Sequence, residues 1–321
     1  MKRLCFLVIC MSIIMGCSTS TSSTKALVDY VDPNIGTAHC RWFFYTPAAI
    51  PFGMAKLAPS TDAHLGNPGG WQAVGYDFRH TSIEGFANFH EFQVGGVVFA
   101  PTVGELQTVP GELENPDGGY RSRFDKKDEV AAPGYYSVLL KDYGVKAELT
   151  AMKRVGFHRY TYPKTELANL IFDIGNKQGE SGEVKDAEVQ YFEDGRVEGY
   201  VITSPVYVNI YQKGADVRMY FSAVLNKKPV QVGTFVKDVV NPGKHQEKGP
   251  GAGLYMTFST EEQEAVEVKV GLSYTSIENA RFNRETEAAD VTFDQAKKNA
   301  TDVWNESLSR IYVEGGRKLI K

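Results

Sequence analysis

The stretch YYSVLLKDYGVKAELTAM (135–152) and its continuation GFHRYTY (156–162) decide the fold. Apolar and aromatic residues recur there at every second position in short runs, the period of strands half buried in a sheet. Asp142, Tyr143 and Gly144 supply the turn between the first two runs. The same pattern continues downstream. Residues 170–174, 189–192, 199–203, 206–212, 218–223, 232–236, 253–258 and 265–274 each read as strands. Turn formers such as Glu193, Asp194 and Gly195, or Gly214, Ala215 and Asp216, separate them. No helical segment alternates with these strands, so stacked antiparallel sheets are expected rather than a doubly wound parallel sheet.

Moving outward from this region, residues 28–110 are rich in Gly and Pro and read as short strands joined by structured loops. Near Asn279 the period changes. Ala296, Ala300, Val303, Trp304, Ser307, Leu308 and Ile311 form an apolar stripe at helical spacing, and Thr292 with Gln295 makes a capping box at its start. One amphipathic helix and a short strand over 311–313 are expected. Gly249 to Gly253 lacks the Lys and Ser or Thr of a phosphate loop and reads as a hairpin connection.

The chain opens MKRLCFLVICMSIIMGC (1–17): a basic start, an apolar run too short for a stable membrane anchor, and a small-residue box ending in Cys17. This is the pattern of a bacterial lipoprotein. It predicts a signal peptide over 1–16, diacylation of Cys17, and a Ser/Thr-rich flexible tether over 17–27. An extracytoplasmic protein held to the membrane only by its lipid is expected, periplasmic or at the cell surface. About 305 residues then remain, enough for a sizeable core. Net charge is −4, with no basic block able to track phosphates, so nucleic acid is excluded as a partner. Of four cysteines, only Cys40 survives outside the leader and the lipidated position, so no intrachain disulfide is expected.

Asp62, Asp77, Glu84 and Glu91 are the candidate carboxylates in the loop-rich half, but their spacing marks no acid–base pair, and solvated or backbone-capping roles are expected for them. His90 with Glu91 invites a zinc-protease reading that fails because Val94 stands where the second histidine is needed. His39, His64, His80, His158 and His245 show no ligand spacing. Trp42, Phe43, Phe44 and Tyr45 read as a loop anchor against the core. Trp71, set among Gly69, Gly70 and Gln72, can instead pack its ring on the C–H face of a pyranose.

The combination VDPNIGT (31–37), PAAIPFGMAKLAPSTD (47–62), Gly75 with Tyr76, and IEGF (83–86) is not a generic β pattern. Together with PGYY (133–136), ELTA (148–151), VGLSY (270–274) and Trp304 with Asn305, it resembles the N-terminal domain of glycoside hydrolase family 92, the calcium-dependent exo-α-mannosidases. The resemblance implies a β-supersandwich over 28–278, similar to galactose-mutarotase-like domains, and a linker helix over 279–321 leading to a missing (α/α)6 domain. That domain would hold the general acid, the base and the calcium ligands. This chain would then bind no calcium, have no catalytic residue of its own and be inactive alone. It would line the pocket for the terminal mannose of N-glycan-type substrates. Asp62, Gly75, Tyr76 and His90 are the wall residues at matching positions, with Trp71 beside them. A separately encoded helical domain is the implied protein partner, and a stand-alone glycan-binding lipoprotein is the alternative. The chain departs from the family where a Gly-Phe-Ser-His-x-His run is usual: GFANFH (85–90) puts Asn88 in place of one histidine.

Overall fold

The computed structural model describes residues 25–38, 45–62, 75–90, 96–176 and 182–313. The predicted Cys17 anchor, Trp71, His39, His64, Glu91 and the aromatic run 42–44 lie outside the described residues.

Strands β1 (Ala58–Ser60), β2 (Ser82–Ile83), β3 (Gly85–Ala87), β4 (Val98–Val103), β5 (Ser122–Arg123), β6 (Val130–Ala132), β7 (Tyr135–Leu140), β8 (Val145–Ala151) and β9 (Val155–Tyr162) come first. After them come β10 (Thr165–Asp173), β11 (Glu183–Tyr191), β12 (Val197–Ser204), helix α1 (Val206–Tyr211), β13 (Val217–Leu225) and β14 (Gln231–Val236). The chain continues through β15 (Val239–Pro242), β16 (Gln246–Lys248), β17 (Ala252–Thr260) and β18 (Glu264–Ser273), then helices α2 (Ile277–Ala288) and α3 (Phe293–Leu308).

Among the described residues these strands form a seven-stranded sheet, ordered β1-β3-β4-β10-β17-β14-β15, and a nine-stranded sheet, ordered β16-β11-β12-β13-β18-β9-β8-β7-β6. The two short strands β2 and β5 pair separately. Pairing between these strands is antiparallel, with Tyr135 opposite Thr150 and Lys146 opposite Thr161 in the β7–β8–β9 meander. The period-2 alternation expressed in these strands sends one set of side chains inward. Leu57, Phe86, Phe99, Tyr136, Leu149, Phe172, Phe221, Met256 and Val268 thus join one buried cluster. Each such side chain contributes roughly 1.5–3 kcal/mol on burial, which makes this core the main support of the fold.

The outer face of the nine-stranded sheet is partly covered by helices. Helix α2 packs on β18 and β13, and α3 on β8 and β9. The approach of α2 is so close that a β-carbon on Gly271 would lie 2.1 Å from the Ala280 carbonyl oxygen. A second cluster of Val155, Phe157, Ala288, Phe293 and Ala296 fills the space beneath the helices. The predicted capping box is present: Thr292 Oγ1 accepts from the Gln295 N–H at 3.3 Å, and Gln295 Oε1 from the Thr292 N–H at 2.8 Å. Trp304 Nε1 donates to the Ala49 carbonyl at 2.7 Å, and the Val28 N–H to Asn305 Oδ1 at 3.0 Å, so the start of the described chain is pinned to its last helix.

Four local expectations are corrected. Residues 206–212 form α1 and the turn after it, not a strand, because Asn209 Nδ2 donates to Ser204 Oγ and to the Pro205 and Ala215 carbonyls and closes the segment on itself. Two helices stand where one linker helix was expected. Residues 311–313 are exposed and form no strand. Gly249 to Gly253 is not a hairpin connection, since it carries the chain from β16 in one sheet to β17 in the other.

Candidate functional site

The loop-rich edge of the seven-stranded sheet collects the sequence candidates that the structure describes. Strand β1 pairs with β3, so that Ser60 lies opposite Gly85. Past Ser60 the chain leaves the sheet. The Thr61 N–H donates to the Gly75 carbonyl at 2.7 Å, and Thr61 Oγ1 accepts from the Asp77 N–H at 2.9 Å, which ties the two ends of the intervening loop together. His80 Nδ1 lies 3.0 Å from both the carbonyl and the hydroxyl of Thr61. Burial is the main reason the His80 imidazole titrates below its ordinary range.

Asp62 follows with φ +65°, in the left-handed region, and its carboxylate is 31% exposed. Gly75 also has positive φ, +75°, and its α-carbon lies against His90: a β-carbon there would be 2.6 Å from Nε2 of that ring. Tyr45 stacks on the same imidazole with centroids 4.8 Å apart, in keeping with the loop-anchor expectation for this residue. Gly75 and His90 are thus brought into contact, and Thr61 links them to Asp62. Tyr76 points away from the surface. It is fully buried, and its hydroxyl donates to Glu129 Oε1 at 2.9 Å beside that of Tyr136 at 2.8 Å, while Lys126 Nζ completes the cluster on Oε2 at 2.9 Å. Burial and the Glu129 charge hold the Tyr76 hydroxyl protonated.

The other carboxylates are buried rather than solvated, but Asp77 takes the expected backbone-capping role: its Oδ1 accepts from the Arg79 backbone N–H at 2.8 Å. It also grips the Arg79 side chain, Nε to Oδ1 at 2.9 Å and Nη2 to Oδ2 at 2.6 Å. Glu84 is buried against Arg121, with Nη2 to Oε2 at 3.2 Å, and accepts the Ser60 hydroxyl. Its carboxyl is pushed up to about 7, chiefly by burial, with Arg121 opposing and Asp62 reinforcing the shift. Sequence reasoning missed Arg121 and Ser60. Arg121 and Glu84 lie 37 residues apart, and only the β2–β5 pairing joins them, so no local spacing could have shown the contact.

Asn88, the position that departs from the family, does not face the loops. It is buried between the sheets, where Nδ2 donates to the Val97 carbonyl at 2.6 Å and Oδ1 lies 2.8 Å from His158 Nε2. The Tyr160 hydroxyl lies 2.9 Å from His158 Nδ1. With Asn88 Nδ2 committed to Val97, Oδ1 must accept from Nε2–H, which leaves Nδ1 to accept from Tyr160. The imidazole is therefore neutral, and burial lowers its pKa to about 3. Among the described residues no three His, Cys, Asp or Glu side chains converge to hold a metal ion.

The fold is a two-sheet antiparallel β-domain with one loop-built polar edge. This chain belongs to glycosyl hydrolase family 92: the description of that family's N-terminal domain matches residues 30–273. The α-mannosidase BT3965 of Bacteroides thetaiotaomicron, a family 92 member, superposes with a TM-score of 0.80 at 29% identity, over 92% of this chain and 39% of that one. The same enzyme in complex with mannoimidazole gives 0.79 at 29% identity, over 89% and 37%. The inverting mannosidase BT2199 of the same organism, at 21% identity and a TM-score of 0.74 over 92% and 38%, shares the fold. The chain spans about two fifths of the length of these solved relatives. No curated protein matches it. It is a mannosidase-related β-domain.

Proposed function

We propose that this chain supplies the sugar-lining half of a calcium-dependent, inverting exo-α-mannosidase that removes terminal mannose from N-glycan-type substrates. The observation that carries the reading is the 29% identity to an α-mannosidase over 92% of the chain, in an enzyme also solved with mannoimidazole bound. Asp62 forms the described, exposed part of the wall, with His90 buried behind it between Gly75 and Tyr45 and the buried Tyr76–Glu129 cluster beyond, and Trp71 supplies the aromatic platform. An inverting glycosidase needs an acid and a base flanking the glycosidic bond with room for a water. Asp77, locked to Arg79, and Glu84, sealed against Arg121, are poorly suited to either part. Acid, base and calcium ligands then belong to a helical partner domain, and lipidation at Cys17 tethers the protein on the extracytoplasmic side.

The chain alone should release no product from an aryl α-mannoside with calcium present, yet give heat on calorimetric titration with mannose. Turnover would overturn the placement of the chemistry elsewhere. Absence of heat at millimolar mannose would overturn the wall.

A further inference from the structure

Behind Asp62 lies a buried charge cluster whose arrangement goes beyond a simple wall. The Arg121 side chain has no exposed surface, and its single nitrogen Nη2 faces two carboxylates, Glu84 Oε2 at 3.2 Å and Asp62 Oδ2 at 3.8 Å. Its Nη1 meets Ser82 Oγ at 3.3 Å, while its buried Nε has no hydrogen-bond partner among the described residues. Glu84 is sealed between this guanidinium and the Ser60 hydroxyl. Asp173, at the end of β10, is the remaining acidic group acting on Glu84, and it is itself held by the Tyr120 hydroxyl and Asn176 Nδ2.

The two carboxylates sharing Arg121 have different surroundings. Glu84 is almost fully buried, whereas Asp62 reaches solvent from a left-handed backbone, φ +65°, that aspartate adopts more readily than most residues. A buried guanidinium 3.8 Å behind an exposed carboxylate draws it inward by charge and restrains its position at the surface, which favours recognition of sugar hydroxyls.

We propose that Asp62, Arg121 and Glu84 act as one unit: Arg121 is the positioning residue that aims Asp62 at mannose hydroxyls, and Glu84, which touches no sugar, sets by its protonation how fully the guanidinium is given to Asp62. The proposal rests on the reading of Asp62 as part of the mannose wall. When Glu84 is neutral, the whole charge of Arg121 serves Asp62; when Glu84 is ionised, the two carboxylates divide it. The Glu84 carboxyl, raised to about 7, places this exchange near neutral pH.

Two measurements on the full chain test it. The first follows the titration of isotope-labelled glutamate carboxyls in wild type and Asp62→Asn. Removing the Asp62 charge should lower the Glu84 midpoint, and identical midpoints would overturn the coupling. The second is calorimetry with mannose at about pH 6 and about pH 8. Wild type should bind more tightly at the lower pH, and Glu84→Gln should lose that dependence. A Glu84→Gln protein that keeps the wild-type dependence would overturn the proposal. Wild type that binds no mannose at either pH would remove the mannose wall, and the Glu84 midpoint in Asp62→Asn would still decide the coupling.

Discussion

The α-carbon of Gly75 rests against the imidazole of His90, so closely that an added β-carbon would fall 2.6 Å from Nε2. The glycine is needed twice, for this contact and for its φ of +75°. Gly75→Ala must therefore both strain the backbone and push the ring off its stacked position on Tyr45, at a cost of about 1–3 kcal/mol. Denaturant unfolding should show that loss and mannose calorimetry a weakened heat. Unchanged stability would mean that the contact is not rigid.

His158 predicts an acid sensitivity. Its pKa falls from 6.5 to about 3 on folding, so the unfolded chain binds more protons between those values. The contribution of the neutral imidazole is complete above about pH 6.5 and is lost as pH drops toward 3. Between about pH 7.5 and about pH 5.5 wild type should lose roughly 1.4 kcal/mol more than His158→Gln. Parallel stability curves for the two proteins would refute this.

Phe52 offers a gain. It is fully exposed, with φ +59°, in a turn closed by the Gly53 N–H donating to the Ile50 carbonyl at 3.1 Å. Phe52→Gly removes left-handed strain of about 1–2 kcal/mol and loses no buried contact, although the glycine gives back part of this through unfolded-state entropy. A net stabilisation of up to about 1 kcal/mol is expected in denaturant unfolding. A destabilised variant would show that the exposed ring has a role in the folded chain.

Lipid anchoring at Cys17 predicts that the protein sediments with bacterial membranes and that Cys17→Ala shifts it to the soluble fraction. Equal distribution of the two proteins would count against the anchor.

The sequence was readable where one physical rule acted alone. In β7, β8 and β9 the alternation of apolar residues coincided with real burial on one face, and the ends were found to within a residue. Helix α3 was visible through its capping box and its apolar stripe, of which Ala296 and Ala300 are buried. Helix α2 was not, because the face it buries includes Asn283 and Arg284 beside Ala280 and Ala288, which leaves no apolar stripe. The run 206–212 had the β-branched composition of a strand, and the bonds made by Asn209 overrode that preference. At the candidate site, Asp62 and His90 are proposed only through the family resemblance at matching positions. Their support could not be read from the sequence, since the Arg121–Glu84 and Tyr76–Glu129 contacts join residues 37 and 53 apart that only the folded sheets bring together.

The hydrogen bond from Val28 to Asn305 joins points 277 residues apart, so the outermost parts of the described chain meet at one pole of the domain. Such closeness makes the domain a candidate for circular permutation. A short linker could bridge those neighbouring ends, with the new break placed at the exposed turn around Gly195 between β11 and β12. Both sheets would keep all their pairings, and a label or surface attachment could be moved to that turn without disturbing the core.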